Sequence, residues 1–350
     1  MKKYSSELKA GMKLLKPVYY ENSILINEDV ILDRNAIEKI KKFNILEVDI
    51  VDENGLKIEE ELEKENMLKE VFELEYENSI EKAKEILENA VSSGIEAEEI
   101  ENIIGESIKN LELDSDVLIR ILQGESAADY LFQHSLNTVI ISLLIGDSLG
   151  YSKEKLELLG KGALLHDVGM LKIKKETLEK SEDLSSDEIM EIKKHTAYGE
   201  EIIGDKIEKD VLDIIKYHHE KMDGTGYPEG LKGNEIPEMA KVVNIADIYC
   251  ALIENRNYRE RYDYYDAMKI VMKSSISLVD DKILKSFLKR MPIYPINTKV
   301  ILNDGRKGVV SKASSNPFRP IIDIVTKGVA ERINLTEEGN LTKYIVGVDK

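Results

Sequence analysis

A mainly α protein is the fold class this sequence predicts: a helical bundle with a small α+β unit before it and a small β domain after it. Three observations carry that expectation. Between residues 126 and 290, apolar residues recur every three or four positions, in places so densely that a helix has no polar face. Residues 1–53 and 291–350 alternate short apolar runs with turns, the pattern of strands. Residues 54–125 are acidic, with an apolar stripe of helical period running through them. The expected division is therefore 1–53, 54–125, 126–290 and 291–350.

Composition narrows the function classes. The 350 residues are 42% hydrophobic, enough for a sizeable core in two or three domains. A formal net charge of -18 speaks against general affinity for DNA, RNA or an anionic membrane. An anionic substrate must be met by local cations, either metal ions or a few arginines. The single cysteine, Cys250, excludes an internal disulfide framework and fits a reducing compartment. No stretch reaches signal-peptide or membrane-span length, so the expectation is a soluble, cytoplasmic protein.

The N-terminal unit should contain strands at Val18–Tyr20, Ile24–Ile26 and Val30–Leu32. Asp33 is placed to cap a helix reaching Phe43, and a strand over Ile45–Val51 completes the unit. It reads first as a packing appendage and second as a sensory or dimerisation module. In the acidic connector, Leu62, Met67, Val71, Leu74, Ile80, Ala83 and Ile86 mark the stripe. A stripe of this kind admits a homodimer, although its repeat is too irregular for a regular coiled coil.

The run Ala127–Leu149 is apolar nearly all round and so predicts a central helix that buries His134. Taken alone, His134 reads as a satisfied core histidine before it reads as a ligand. The next helix, Leu156–Leu165, ends in His166-Asp167-Val168-Gly169. Its Gly160, Gly162 and Ala163 allow close neighbours, and Gly169 offers the left-handed geometry of a helix end. Ser185 and Glu188 form a capping-box pattern for a helix that carries Ile189, Ile192 and His195.

His218 and His219 close an apolar helical run, and a loop with Gly224, Gly226 and Gly230 follows. In the helix Met239–Ile253, Asp247 is a lone acid, which burial would penalise by several kcal/mol without a cation or hydrogen-bond network. Arg256, Arg259 and Arg261 come next; guanidinium forks suit phosphate oxygens, and pairing with surface acids is the competing reading. One amphipathic helix over Ala267–Leu288 should close the bundle. Strands are then expected at Val300–Leu302, Val309–Val310, Ile321–Val325, Val329–Leu335 and Tyr344–Val348.

The five histidines all fall between residues 134 and 219. With Asp167 and Asp247 they offer seven N/O ligands, too many for a closed tetrahedral zinc site of four. Shared between two cations with one carboxylate bridging, they would leave positions open for a hydroxide that attacks phosphorus. Five imidazoles favour a transition metal such as iron or manganese over magnesium.

These residues carry a resemblance. From about Tyr130 to Arg261 the chain resembles an HD-GYP domain, the bacterial subgroup of the HD superfamily that hydrolyses cyclic di-GMP. GALLHDVGM matches the HD signature, DGTGYPEGLKGNEIP the GYP signature, and ADIYCALIENRNYR the segment that follows. The resemblance implies an HD-type bundle and a metal-dependent phosphodiesterase that opens cyclic di-GMP to pGpG, in some members continuing to GMP. It implies His134, His166, Asp167 and Asp247 at one metal, and His195, His218 and His219 at a second, with Asp167 the catalytic bridging carboxylate. Gly226, Tyr227 and Pro228 would shape the loop over the substrate, with Arg256 and Arg259 near its phosphates.

Three departures accompany the match. Met170 stands where the family usually has lysine, and Lys172 differs in phase. Cys250 stands where the family has aspartate and reads as a packing residue before a thiolate ligand. Tyr130 replaces a glutamate that helps hold a third metal in some members, so two metals are expected. The alternative reading is a catalytically weak member that senses a cyclic dinucleotide, or docks a diguanylate cyclase or other signalling protein through the GYP loop. A third reading, an HD-type nucleotidase acting on mononucleotides, leaves the GYP signature unexplained.

Overall fold

The computed structural model describes residues 2–20, 23–51, 76–92, 94, 97–109, 130–255, 259–314, 316–326 and 329–349. The chain divides into two compact units, Met1–Leu74 and Glu75–Lys350.

In the first unit, β1 (Lys2–Tyr4), β2 (Lys13–Leu14) and β5 (Glu47–Val51) form an antiparallel sheet in the order β1-β5-β2. A separate hairpin pairs β3 (Val18–Tyr20) with β4 (Ser23–Ile26). The helix α1 (Arg34–Lys42) begins where expected, because the Asp33 carboxylate accepts the Ala36 amide at 2.6 Å. Its Ile37 and Ile40 pack with Leu8, Met12, Leu14, Leu32, Val48 and Ile50. The expected strand at Val30–Leu32 is reduced to a single bridge between Ile31 and Lys13. Main-chain bonds from Leu14 N to Val30 O and from Leu32 N to Met12 O flank that bridge, and the pairing stays this short because Asp29 takes a positive φ of 65° just before it and Asp33 starts a helix just after it.

The second unit is predominantly helical. It contains α2 (76–92), α3 (Ala97–Lys109), α4 (Tyr130–Ser148), α5 (Lys153–Leu165), α6 (Lys175–Leu178) and α7 (Ser186–Lys193). After these come α8 (His195–Ile203), α9 (Lys209–Tyr217), α10 (Glu238–Ile253), α11 (Tyr264–Leu278) and α12 (Asp281–Arg290). The central helix is α4, buried from Phe132 to Gly146. It packs against α5, α10 and α12. Helix α5 lies so close to α9 that a Cβ at Gly162 would be 2.3 Å from the Ile214 side chain.

Of the connector stripe, Ile80, Ala83 and Ile86 are buried on α2. Leu62, Met67, Val71 and Leu74 lie outside the described residues.

Three details of the second unit differ from the sequence expectation. The helix expected to run through His195 is interrupted at Lys194, which separates α7 from α8. The helix expected over Ala267–Leu288 is two helices, because the Asp280 carboxylate accepts the Lys282 and Ile283 amides at 2.9 and 3.2 Å and starts α12 anew. Gly169 is not left-handed; it lies in the 3-10 turn Val168–Lys172, and its lack of a side chain serves packing instead.

A small β region ends the chain. Strands β6 (Lys299–Leu302), β7 (Lys307–Lys312), β8 (Ile321–Thr326), β9 (Val329–Asn334) and β10 (Ile345–Val348) form an antiparallel sheet. Their order is β10-β6-β7-β8-β9, with Val300, Leu302, Val310, Ile322, Ile324 and Ile333 buried. Among the described residues, no helix is long and apolar enough to cross a membrane.

Candidate metal centre

The seven candidate ligands come from five helices. His134 sits one turn into α4, His166 caps the C-terminus of α5, and Asp167 follows it. His195 opens α8, His218 caps α9 with His219 next, and Asp247 lies mid-way along α10. All are buried except His219, whose side chain keeps 23% of its surface exposed. The cluster therefore opens to solvent on the His219 side.

Two overlapping groups result: Asp167 with His195, His218 and His219, and Asp167 with His134 and His166. Within each group the ligating atoms lie within 4.8 Å of one another. Asp167 belongs to both because its two oxygens diverge. Oδ1 is 3.3 Å from His195 Nε2 and 3.8 Å from His218 Nε2, whereas Oδ2 is 3.5 Å from His166 Nε2 and 3.9 Å from His134 Nε2. Asp247 also straddles the centre, with Oδ1 3.1 Å from His134 Nε2 and Oδ2 3.7 Å from His219 Nδ1.

The main chain sets the ring orientations. His166 Nδ1 donates to Ala163 O at 2.7 Å, His195 Nδ1 to Ile192 O at 2.7 Å, and His218 Nδ1 to Ile215 O at 3.0 Å. With Nδ1 carrying the proton, each Nε2 presents a lone pair to the centre. His195 Nε2 and His218 Nε2 then face each other at 3.3 Å. His166 Nε2 and Asp167 Oδ1 are buried without a hydrogen-bond partner. Converging lone pairs in a buried site are unfavourable by themselves and suit a cation held among them. Imidazole nitrogens mixed with carboxylate oxygens are the donor set of a transition-metal site.

The electrostatics agree. Burial opposes ionisation of Asp167, but the imidazoles of His166, His195, His134 and His218 outweigh it and hold the carboxyl well below its usual range. Asp247 is held down in the same way, by its hydrogen bond to His134 and by His219. Burial and the neighbouring imidazoles push His218 well below the usual histidine range, and burial lowers His219 to about 4. His134 goes the other way. Burial lowers it, but the carboxylates of Glu254 and Asp247 prevail and raise it to about 10.

The glycine loop folds back on the double histidine. The Tyr227 ring packs on His219 with centroids 4.7 Å apart, and Lys193 Nζ lies 5.2 Å from the centroid of Tyr227. Gly226 passes so close to the main chain of residues 219–221 that a Cβ there would be 2.5 Å from Glu220 Cα. The peptide bond between Tyr227 and Pro228 is cis. Buried Glu220 holds the loop from beneath, its Oε1 accepting the amides of Glu229 and Gly230 at 2.7 and 2.9 Å and Oε2 that of Leu231 at 3.1 Å.

Other singled-out residues lie at the margins. Cys250 is buried and falls in neither ligand group. Tyr130 stacks on the His134 ring at 5.8 Å. Met170 is half-buried in the 3-10 turn, and Lys172 pairs with Glu201 at 2.9 Å. Arg259 bonds the carbonyls of Ala251 and Glu260 at 2.6 and 3.1 Å, anchoring the chain that leaves α10. Arg256 lies outside the described residues.

Four supporting residues escape the sequence reading: Glu220, Glu254, Asn137, and Asn244, which donates to His218 O at 2.6 Å. The available signal for Glu254 is its position seven residues after Asp247, two turns along the same face of the helix. In a chain with 67 acidic residues, that alone does not separate it from solvated glutamates.

Comparison with known proteins gives a consistent picture. Residues 117–283 match the HD domain model. The chain is 26% identical over 197 residues to a cyclic di-GMP phosphodiesterase of Pseudomonas aeruginosa, covering 56% of this chain and 47% of that protein. It is 31% identical over 173 residues to a 3'3'-cGAMP-specific phosphodiesterase of Vibrio cholerae, covering 49% of this chain and 37% of that protein. It thus spans less than half the length of either relative. The solved structure of an HDG"Y"P protein from Bdellovibrio bacteriovorus superposes with a TM-score of 0.51 at 18% identity, over 82% of this chain and 97% of that one, a likeness of fold. The HD and GYP motifs of residues 162–237 lie inside the matched HD domain.

Proposed function

We propose that this chain is a metal-dependent phosphodiesterase that opens the ring of cyclic di-GMP. The observation that carries the reading is Asp167, which turns one oxygen to each of two histidine groups beside the Tyr227 loop. In this reading His134, His166 and Asp247 complete one site, His195, His218 and His219 complete the other, and iron or manganese fills both. Cations held there would supply Lewis-acid stabilisation of the phosphate oxygens and lower the pKa of water.

The chain's own residues do the rest. Asp167, held ionised, supplies a fixed negative charge rather than a proton. His218 and His219, held neutral, keep their lone pairs available at pH 7. Tyr227 offers a ring face on the solvent side of the cluster, where a guanine can stack. Arg256 and Arg259 are assigned to the substrate phosphates, because guanidinium forks suit phosphate oxygens. The product in this reading is pGpG, with GMP if a second cut follows; 3'3'-cGAMP is the alternative substrate that the relatives put forward.

One observation favours a second reading, a sensor or scaffold without useful turnover. The 3-10 turn after His166-Asp167 carries neutral Met170 where the resemblance leads one to expect a lysine, and its Lys172 is paired with Glu201. One experiment separates the two. The full chain is purified anaerobically, its metal is counted, and cyclic di-GMP and 3'3'-cGAMP are offered with added iron or manganese. Linear product with about two metals per chain supports the enzyme. Two metals with tight dinucleotide binding and no product supports the sensor.

A further inference from the structure

His134 differs from the other buried histidines of the centre in what holds its ring. His166, His195 and His218 donate Nδ1 to a main-chain carbonyl three residues earlier, whereas His134 Nδ1 donates to the Glu254 carboxylate at 2.8 Å. As the C-cap of α10, Glu254 has an extended main chain at the point where the helix ends. Its side chain is buried among polar groups of α4. Its other oxygen accepts from Asn137 Nδ2 at 2.6 Å, and Asn137 Oδ1 in turn accepts the Tyr76 hydroxyl from α2. Glu254, Asn137 and Tyr76 are 7%, 0% and 5% exposed, so water does not compete for these bonds.

The chain of donors has one direction. Tyr76 can only donate to Asn137 Oδ1, which leaves the Asn137 amide to donate to Glu254. The Glu254 carboxylate then accepts from both Asn137 and His134. Its partner on the imidazole is therefore Nδ1–H, and Nε2 is aimed at Asp247 and Asp167. Glu254 cannot itself reach the cluster, because the His134 ring stands between them and both its oxygens are engaged.

We propose that Glu254 is a positioning residue for the metal held by His134, His166 and Asp167, and that Asn137 and Tyr76 extend its support to α2. Glu254 lies one helical turn beyond Cys250, so the carboxylate that serves this ring comes from the end of α10. The inference rests on the metal reading of the cluster and adds that the two positions depend differently on α2 and Glu254. Loss of a carboxylate behind a ligating histidine typically costs 10- to 100-fold in metal affinity.

The test is cobalt(II) titration of the full chain with a competing chelator, recorded by the visible ligand-field spectrum, for wild type and Glu254→Gln. The melting temperature of each metal-free protein is measured alongside. The expected result is one site weakened by 10- to 100-fold with an altered cobalt spectrum, and the other site unchanged. Tyr76→Phe should shift the same site in the same direction by less. Two sites of unchanged affinity in Glu254→Gln overturn the role of Glu254 and leave the metal reading intact. So does equal weakening of both sites together with a lower metal-free melting temperature, which marks a general structural role. A wild-type chain that takes up no cobalt removes the metal reading and this inference with it.

Discussion

Adding one methyl group at Gly169 tests the link between the HD turn and the second histidine group. A Cβ on Gly169 would lie 1.9 Å from His195 O and 2.6 Å from Gly199 N. Both atoms are main chain of α8, so no side-chain rotation relieves the clash. The turn and α8 must separate by about 1 Å or more to restore ordinary contact. Overpacking of a closed interior costs about 1–3 kcal/mol, and a main-chain clash belongs at the upper end. At about 3 kcal/mol, and about 2–4 °C per kcal/mol for a protein of this size, Gly169→Ala should melt roughly 6–12 °C lower. The same displacement carries His195 away from Asp167 Oδ1, now 3.3 Å distant, while His134 and His166 are held from other helices. Calorimetric melting of the metal-free protein and cobalt stoichiometry are the assays. Expected is a lower melting temperature with loss of metal at the His195, His218 and His219 group first. A variant that melts within about 2 °C of wild type and binds metal equally at both groups would falsify the packing argument.

Three further predictions follow from the same geometry. Asp167→Asn should lower metal content at both groups, whereas His195→Ala should lower it at one; equal stoichiometry in Asp167→Asn and wild type would remove the shared carboxylate. His134, raised to about 10 from an ordinary value near 6.5, contributes stability in the metal-free protein that is complete below pH 6.5 and is lost as pH climbs through about 10. His219, lowered to about 4, does the reverse: its stability is present above pH 6.5 and fades as pH falls toward 4. Metal uptake at pH 7 should therefore release a proton from the His134 group and none from His219, measurable by titration calorimetry in buffers of different ionisation enthalpy. Glu220→Ala strands three loop amides, each costing about 1–3 kcal/mol if left unpaired. It should raise KM for the dinucleotide with metal content unchanged, and an unchanged KM would show that the loop holds its shape without Glu220.

Much of the helical frame was legible because the signals are local. Asp33 and Ser185 cap the helices they precede, and the Ser185–Glu188 box forms as spaced. The apolar run around His134 had no polar face, and α4 is the central helix. The misreadings have a common origin. Asp280 interrupts an amphipathic pattern that is continuous by period, because a capping carboxylate competes with the helix through. Gly169 looked like a helix terminator, but what requires glycine there is the His195 carbonyl, 26 residues away in the chain.

The division between the two levels is clearest at the centre. Which side chains are available as ligands could be read from the residues alone, because histidine, aspartate and the motif around them are written there. Legible too is which of them fall at helix ends, where backbone carbonyls are free to hold an imidazole. The resemblance implied a shared Asp167; the packing of the helices is what gives that carboxylate one oxygen toward each group, sets Asp247 across both, and puts Glu254 behind His134 across 120 residues of chain. The physical reason is that a side chain's second partner is chosen by the packing of helices distant in sequence. Local periodicity carries no information about that choice.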